Sequence, residues 1–173
     1  MNYATIKPTD VANGPGVRVS LFVSGCRHFC KGCFNAEAWD FSYGQPFTEE
    51  VQEELLGLLG QSYIAGLSLL GGEPLEPENQ EALLPFLRKV RSRLPGKTIW
   101  CYSGYTFEYI LGTMMENSRT AREVLGLLDV LVDGKFVEEQ KNLNLRFRGS
   151  ENQRLLDVKR SLEAGRATVF DLT

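Results

Sequence analysis

Three cysteines fall within one stretch of eight residues, Cys26-Arg27-His28-Phe29-Cys30-Lys31-Gly32-Cys33. Thiolates at such short spacing can wrap one corner of a cuboidal 4Fe-4S cluster, and Gly25 and Gly32 permit the tight turns this needs. A 4Fe-4S cluster normally takes four cysteines, so three would leave one iron open to another ligand. A zinc site is the alternative, with His28 or the distant Cys101 as fourth ligand. Inert thiols on one helix face are a third reading, disfavoured by the flanking glycines. Cys101 lies in an apolar stretch and reads as a buried structural thiol.

The elements that must position these groups alternate along the chain. Val17 to Val23 reads as a buried strand ended by Gly25, with the cysteines directly after it. Thr48 is an N-cap with Glu49 and Glu50 in the first turn, and Val51, Leu55, Leu58 and Leu59 supply a helical apolar face. Gly66 to Leu70 is a second strand, entering Gly71-Gly72-Glu73-Pro74. Glu78 to Arg93 is helical, either broken near Leu84 or starting at Pro85, because proline removes a backbone donor. Thr98 to Tyr102 and Val130 to Val132 are strands, with helical Phe107 to Met115 and Thr120 to Leu128 between them. Farther on, Asn142 to Arg148 reads as extended, Asp157 to Ala164 as a helix stopped by Gly165, and Ala167 to Phe170 as a last strand. Strand and helix in alternation imply an α/β fold with a mostly parallel sheet, whose ligands bind beyond the C-terminal strand ends.

Composition narrows the class. At 173 residues, 43% hydrophobic and 24% charged, the chain has the make-up of one globular domain spanning residues 1–173. The net charge of -3 and pI near 5.3 carry no nucleic-acid footprint, and Arg88, Lys89, Arg91 and Arg93 read as a solvated helix face. The N-terminus has no apolar leader core, and no stretch approaches the roughly 18 apolar residues of a membrane span. A cytoplasmic protein is expected. Four cysteines there argue for metal or catalytic use rather than disulfides.

With these residues in view, the chain resembles the radical S-adenosylmethionine superfamily. Cys26, Cys30 and Cys33 match its CxxxCxxC motif, and Gly71, Gly72, Glu73 and Pro74 match its second motif in type and place. Finer matches in Asn13–Ser20, Gly25–Asn35, Trp100–Thr106, Asp129–Phe136 and Arg148–Arg154 resemble the activating proteins of anaerobic (class III) ribonucleoside-triphosphate reductase. The resemblance implies that the three cysteines hold one 4Fe-4S cluster whose open iron chelates S-adenosylmethionine. Gly71 and Gly72 would let the backbone approach that ligand, and Glu73 would accept from its ammonium. Gly32 and Cys33 would lie beside the cofactor, with Gly32 where the superfamily often has an aromatic residue. Adenine stacking then passes to Phe34, whose alternative role is core packing. Ser103 would bind the methionine carboxylate or the ribose, unless it is an ordinary turn hydroxyl. Asp133 and Lys135 look like an Asp-x-Lys pair that closes the site. Arg148 to Arg154 carries the family likeness without a mechanism.

The activity implied is reductive cleavage of S-adenosylmethionine to methionine and a 5'-deoxyadenosyl radical, which takes a hydrogen atom from a glycine of the reductase large subunit. A reductant such as reduced flavodoxin is implied as partner. Because a closed (β/α)8 barrel needs about 250 residues, a partial barrel with a lateral opening for a loop of the partner is expected. Rival readings are a small radical S-adenosylmethionine enzyme with another substrate, and a non-catalytic iron–sulfur or zinc module.

Overall fold

A computed structural model describes residues 1–172. Seven strands form one sheet: β1 (Asn2–Asp10), β2 (Val17–Val23), β3 (Gln45–Pro46), β4 (Ile64–Gly71), β5 (Thr98–Ser103), β6 (Val130–Asp133) and β7 (Arg154–Asp157), in the order β3-β1-β2-β4-β5-β6-β7. The middle four, β2, β4, β5 and β6, are parallel, and antiparallel pairs complete both sides. The sheet is open, with β3 and β7 at its edges, so the α/β expectation holds while no closed barrel forms.

Strand alternation divides the sheet into two unlike faces. Val19, Leu21, Leu67, Leu69, Ile99, Cys101, Leu131 and Leu156 pack against helices α1 (Glu49–Leu59), α2 (Pro77–Arg93) and α5 (Arg119–Gly126). The opposite face carries Trp100, Val130, Val132 and Leu155, covered by Phe147 and the C-terminal Phe170 and Leu172. Arg18 also belongs there, at 1% exposure. Its guanidinium donates to Ser68 Oγ at 2.9 Å, Thr98 Oγ1 at 2.9 Å and the Leu67 carbonyl at 2.9 Å, and lies over the Trp100 ring. Burial lowers its pKa to about 10. Since β2, β4 and β5 all contribute, this one cation fixes the strand order at the base of the parallel sheet.

The helix ends follow sequence chemistry. Thr48 Oγ1 accepts from Val51 N, Ser118 Oγ from Ala121 N and Asp157 Oδ1 from Arg160 N. Gly165, at φ 68, stops α6 (Val158–Ala164). Between β5 and α5, the expected helix becomes two short turns, α3 (Phe107–Tyr109) and α4 (Met115–Asn117), flanking a π-turn over Ile110–Met114.

Four expectations change. Helix α2 runs unbroken through Pro85, because Pro85 is on the exposed face, where water can serve the Glu81 carbonyl that loses its donor. The basic run on α2 also binds neighbours: Arg91 donates to the Leu127 carbonyl and Asp129, and Arg93 to Glu53. Asn142 to Arg148 forms turns rather than a strand, with one bridge between Lys141 and Ser150. Ala167 to Phe170 contributes only a bridge from Val169 to Leu156, and the strand beside β6 is the four-residue β7.

Strand β1 meets β2 through a buried carboxylate. Asp10 accepts from Ser20 Oγ at 2.6 Å, Asn13 Nδ2 at 2.7 Å and Ala12 N at 2.8 Å. Burial alone would raise its pKa, but these donors outweigh it and hold the carboxyl below its ordinary 3.8. A depressed folded value stabilises the chain above the unfolded pKa and is lost as pH falls through the folded one. Asp10→Asn should therefore cost about 1–3 kcal/mol at neutral pH and flatten the loss of stability below about pH 4, read from urea unfolding across pH.

Candidate metal centre

The four parallel strands end on the same edge, and the loops that leave them build one cavity of about 380 Å3. Cys26, Cys30, Cys33 and Phe34 come from the loop after β2, Gly71 and Gly72 from β4, Ser103 and Gly104 from β5, and Lys135 and Phe136 from the loop after β6. Gly32, Glu73, Pro74 and Asp133 are not among the residues that line it.

Two close approaches shape the cysteine loop. Gly25, at φ 101, leaves the strand in a conformation side chains avoid, and a Cβ there would come within 2.2 Å of the Phe41 ring. Gly72 passes so near that its Cβ would be 2.7 Å from the Gly25 carbonyl. That carbonyl instead accepts from Glu73 N at 2.8 Å, while Gly72 N donates to the Val23 carbonyl at 2.8 Å. The cysteine loop and the Gly71–Pro74 loop are thus hydrogen-bonded side by side. Phe29 also takes a positive φ of 52, between two of the cysteines.

Glu73 carries the polar centre of this arrangement. Its Oε1 accepts from Gly104 N at 2.7 Å, Ser103 Oγ at 3.0 Å and His28 Nε2 at 2.7 Å, and its Oε2 from Leu75 N at 2.8 Å. At 1% exposure, the carboxylate serves protein donors, and it is the backbone of Gly71 and Gly72 that faces the cavity. Ser103 Oγ likewise has an internal partner. The expected Asp133 and Lys135 pair divides: Lys135 lines the cavity, while Asp133 accepts from Phe107 N and from Arg154 Nε and Nη2. Phe34 is exposed rather than part of the core, its ring 5.5 Å from Phe136 and under Lys141.

The stretch Arg148–Arg154 acquires a structural part. Asn152 Nδ2 donates to the Lys135 carbonyl at 2.8 Å, Gln153 Nε2 to the Gly134 carbonyl at 3.0 Å, and Arg154 bridges Asp133 and Glu108. It holds the loop that brings Lys135 and Phe136 to the cavity.

All four cysteines are free thiols. Burial pushes the Cys26 thiol up to about 11 and raises Cys30 as well, so metal binding must release protons. Among the described residues, no three Cys, His, Asp or Glu side chains converge on a single-ion site. The zinc reading also loses one of its fourth ligands, since Cys101 is fully buried on the helix-covered face. Three thiols around one cavity suit a cluster, in which each thiolate takes a different iron.

Residues 12–156 match a family described as a 4Fe-4S single cluster domain. The chain is 44% identical over 155 residues to the anaerobic ribonucleoside-triphosphate reductase-activating protein of Haemophilus influenzae, covering 88% of this chain and 96% of that one. The protein of the same name from Escherichia coli K12 is 42% identical over the same shares. That of Enterobacteria phage T4 is 45% identical over 157 residues, 90% of this chain and 93% of the other. The chain belongs to the anaerobic ribonucleoside-triphosphate reductase-activating protein family. In this member of the family no helix among the described residues is long and apolar enough to cross a membrane.

Among the residues lining the cavity, sequence reasoning gave no role to Trp39, Tyr102, Phe136, Phe147 or Arg148, although Tyr102, Phe136 and Arg148 fall in stretches that carry the family likeness. Only strand alternation offered a signal, since Tyr102 and Cys101 must face opposite ways. Glu73→Gln should lower stability by about 1–3 kcal/mol, because an amide puts its own N–H groups against buried donors. The check is chemical denaturation of the metal-free protein, with the midpoint falling at unchanged slope.

Proposed function

We propose that this chain is a cytoplasmic, single-domain oxidoreductase that uses one 4Fe-4S cluster and S-adenosylmethionine to install a glycyl radical on anaerobic ribonucleoside-triphosphate reductase. The observation that carries the reading is the set of three free cysteines around one cavity at the C-terminal ends of the parallel strands, with the fourth cysteine buried on the other face. When bound, the cluster and cosubstrate supply an electron to the sulfonium and, from its cleavage, a radical able to take hydrogen from a glycine.

The chain's own residues do the rest. Cys26, Cys30 and Cys33 would hold the cluster, and the backbone at Gly71 and Gly72 lines the same cavity beside them. Phe34 and Phe136 offer aromatic surface for the adenine, and Lys135 a cation at the rim. Glu73 and Ser103 act one step back, fixing the loops that carry these groups. Apolar walls from Leu70, Val132, Leu145 and Phe147 limit water around a reactive intermediate. No side chain acts as general acid or base.

The open sheet supports a polypeptide substrate. A second cavity of about 780 Å3, lined by Tyr105, Glu108, Tyr109, Asp133, Asn152 and Arg154 among others, shares His28, Gly104, Gly134 and Lys135 with the first. A loop of the reductase would have a trough leading to the cluster. Reduced flavodoxin or a similar donor would supply the electron.

Anaerobically reconstituted protein with a strong reductant should cleave S-adenosylmethionine and produce a glycyl doublet on the reductase in electron paramagnetic resonance. Single replacement of Cys26, Cys30 or Cys33 by Ala should reduce cleavage to background, with Cys101→Ala retaining it. Turnover of a small molecule without a glycyl signal on an otherwise competent reductase would overturn the assignment.

A further inference from the structure

Nearly all shielded polar groups in a folded chain find a partner, so those that do not are informative. Among the described residues five shielded side-chain atoms have none: Trp39 Nε1, Tyr102 Oη, Arg148 Nε, Glu76 Oε2 and Asn79 Oδ1. The first three belong to residues lining the cysteine cavity, and each can donate, Tyr102 Oη being able to accept as well. The other two are acceptors outside that lining. The wall of the cavity is therefore short of acceptors, which its ligands must bring.

Each donor is held in place by its surroundings. Trp39 closes a short turn over Ala36–Trp39, its carbonyl accepts from Cys26 N at 3.2 Å, and its ring meets Phe29 edge-on at 5.2 Å. It therefore stands behind the cysteine loop. Tyr102 lies on β5 opposite Val132, on the face away from the helices. Burial pushes its pKa up, so the phenol stays protonated and able to donate. Arg148 donates through Nη1 to the Gln153 carbonyl at 2.5 Å. Its neighbour Phe147 adopts φ 61 and packs 5.6 Å from Trp100. A non-glycine residue at such an angle costs of order 1–3 kcal/mol and persists only where its surroundings impose it.

We propose that Trp39, Tyr102 and Arg148 form the donor set of the cavity, Tyr102 and Arg148 bonding oxygen atoms of S-adenosylmethionine and Trp39 a sulfur atom of the cluster. This rests on the activase reading. The division follows position, since Trp39 shares a peptide contact with Cys26, whereas the other two come from strand β5 and the far loop. S-adenosylmethionine supplies suitable acceptors in its carboxylate and ribose oxygens. Glu73 and Ser103, the polar groups the sequence singles out, already have protein partners.

The test uses Tyr102→Phe, which deletes a single hydroxyl, Arg148→Lys, which keeps the charge but moves the Nε donor, and Trp39→Phe. Affinity is read by titrating S-adenosylmethionine into the reduced, reconstituted protein and following its paramagnetic signal. Stability is read by urea unfolding of the metal-free protein. Tyr102→Phe and Arg148→Lys should each weaken binding about tenfold, the value of one good hydrogen bond. Tyr102→Phe should leave metal-free stability equal or higher, because it removes a polar atom with no partner there. Trp39→Phe should keep full iron content and affinity while shifting the cluster midpoint potential downward, since N–H donors to cluster sulfur favour the reduced state. Affinity within twofold of wild type in both Tyr102→Phe and Arg148→Lys would overturn the proposal. So would a loss of metal-free stability in Tyr102→Phe at unchanged affinity, the mark of a structural hydroxyl. Wild-type protein whose signal ignores S-adenosylmethionine would instead overturn the reading beneath it.

Discussion

A carboxyl group with almost no access to water needs hydrogen-bond partners for its oxygens. Those of Glu73 come from separate loops: His28 between two cysteines, Ser103 and Gly104 at the end of β5, and Leu75 just past the end of β4. Satisfying this one group brings the C-terminal ends of three neighbouring strands together. The cysteine loop is then set beside the glycine pair, and the side chain of His28 is fixed against Tyr105 at 4.6 Å. The cavity is the space these connections leave open.

The sheet beneath supplies the direction. Its helix-covered face is largely apolar, while the other mixes aromatic rings with a buried guanidinium and a buried aspartate. Cys101 and Tyr102 mark the boundary, adjacent in sequence and on opposite faces. The same alternation that removes a thiol from any metal presents a phenol to the cavity.

How much of this was legible beforehand depended on distance along the chain. The cysteine spacing, the glycine pair and the helices α1, α5 and α6 are local patterns, and each was found where expected. The strands β1 and β7 were not: β1, next to the two-residue edge strand β3, is polar and interrupted near Pro8 by a register shift, and β7 has only four residues, too few for a period. Side-chain orientation was the other blind spot. A carboxylate after two glycines reads as a ligand group until the donors of β5, thirty residues on, are placed against it. Asp133 reads the same way until Arg154 arrives from the next strand. In both cases the residue type was right for the site, and a remote partner decided which way it faced.

The connections that tie the cysteine loop to its neighbours run mainly through backbone amides, a histidine and a glutamate, with Asn35 N donating to Cys33 Sγ at 3.4 Å within the loop. The receptacle consequently belongs to the polypeptide rather than to the metal, unlike small domains that collapse when their ion is removed. Destruction of a cluster by oxygen then spoils a replaceable part.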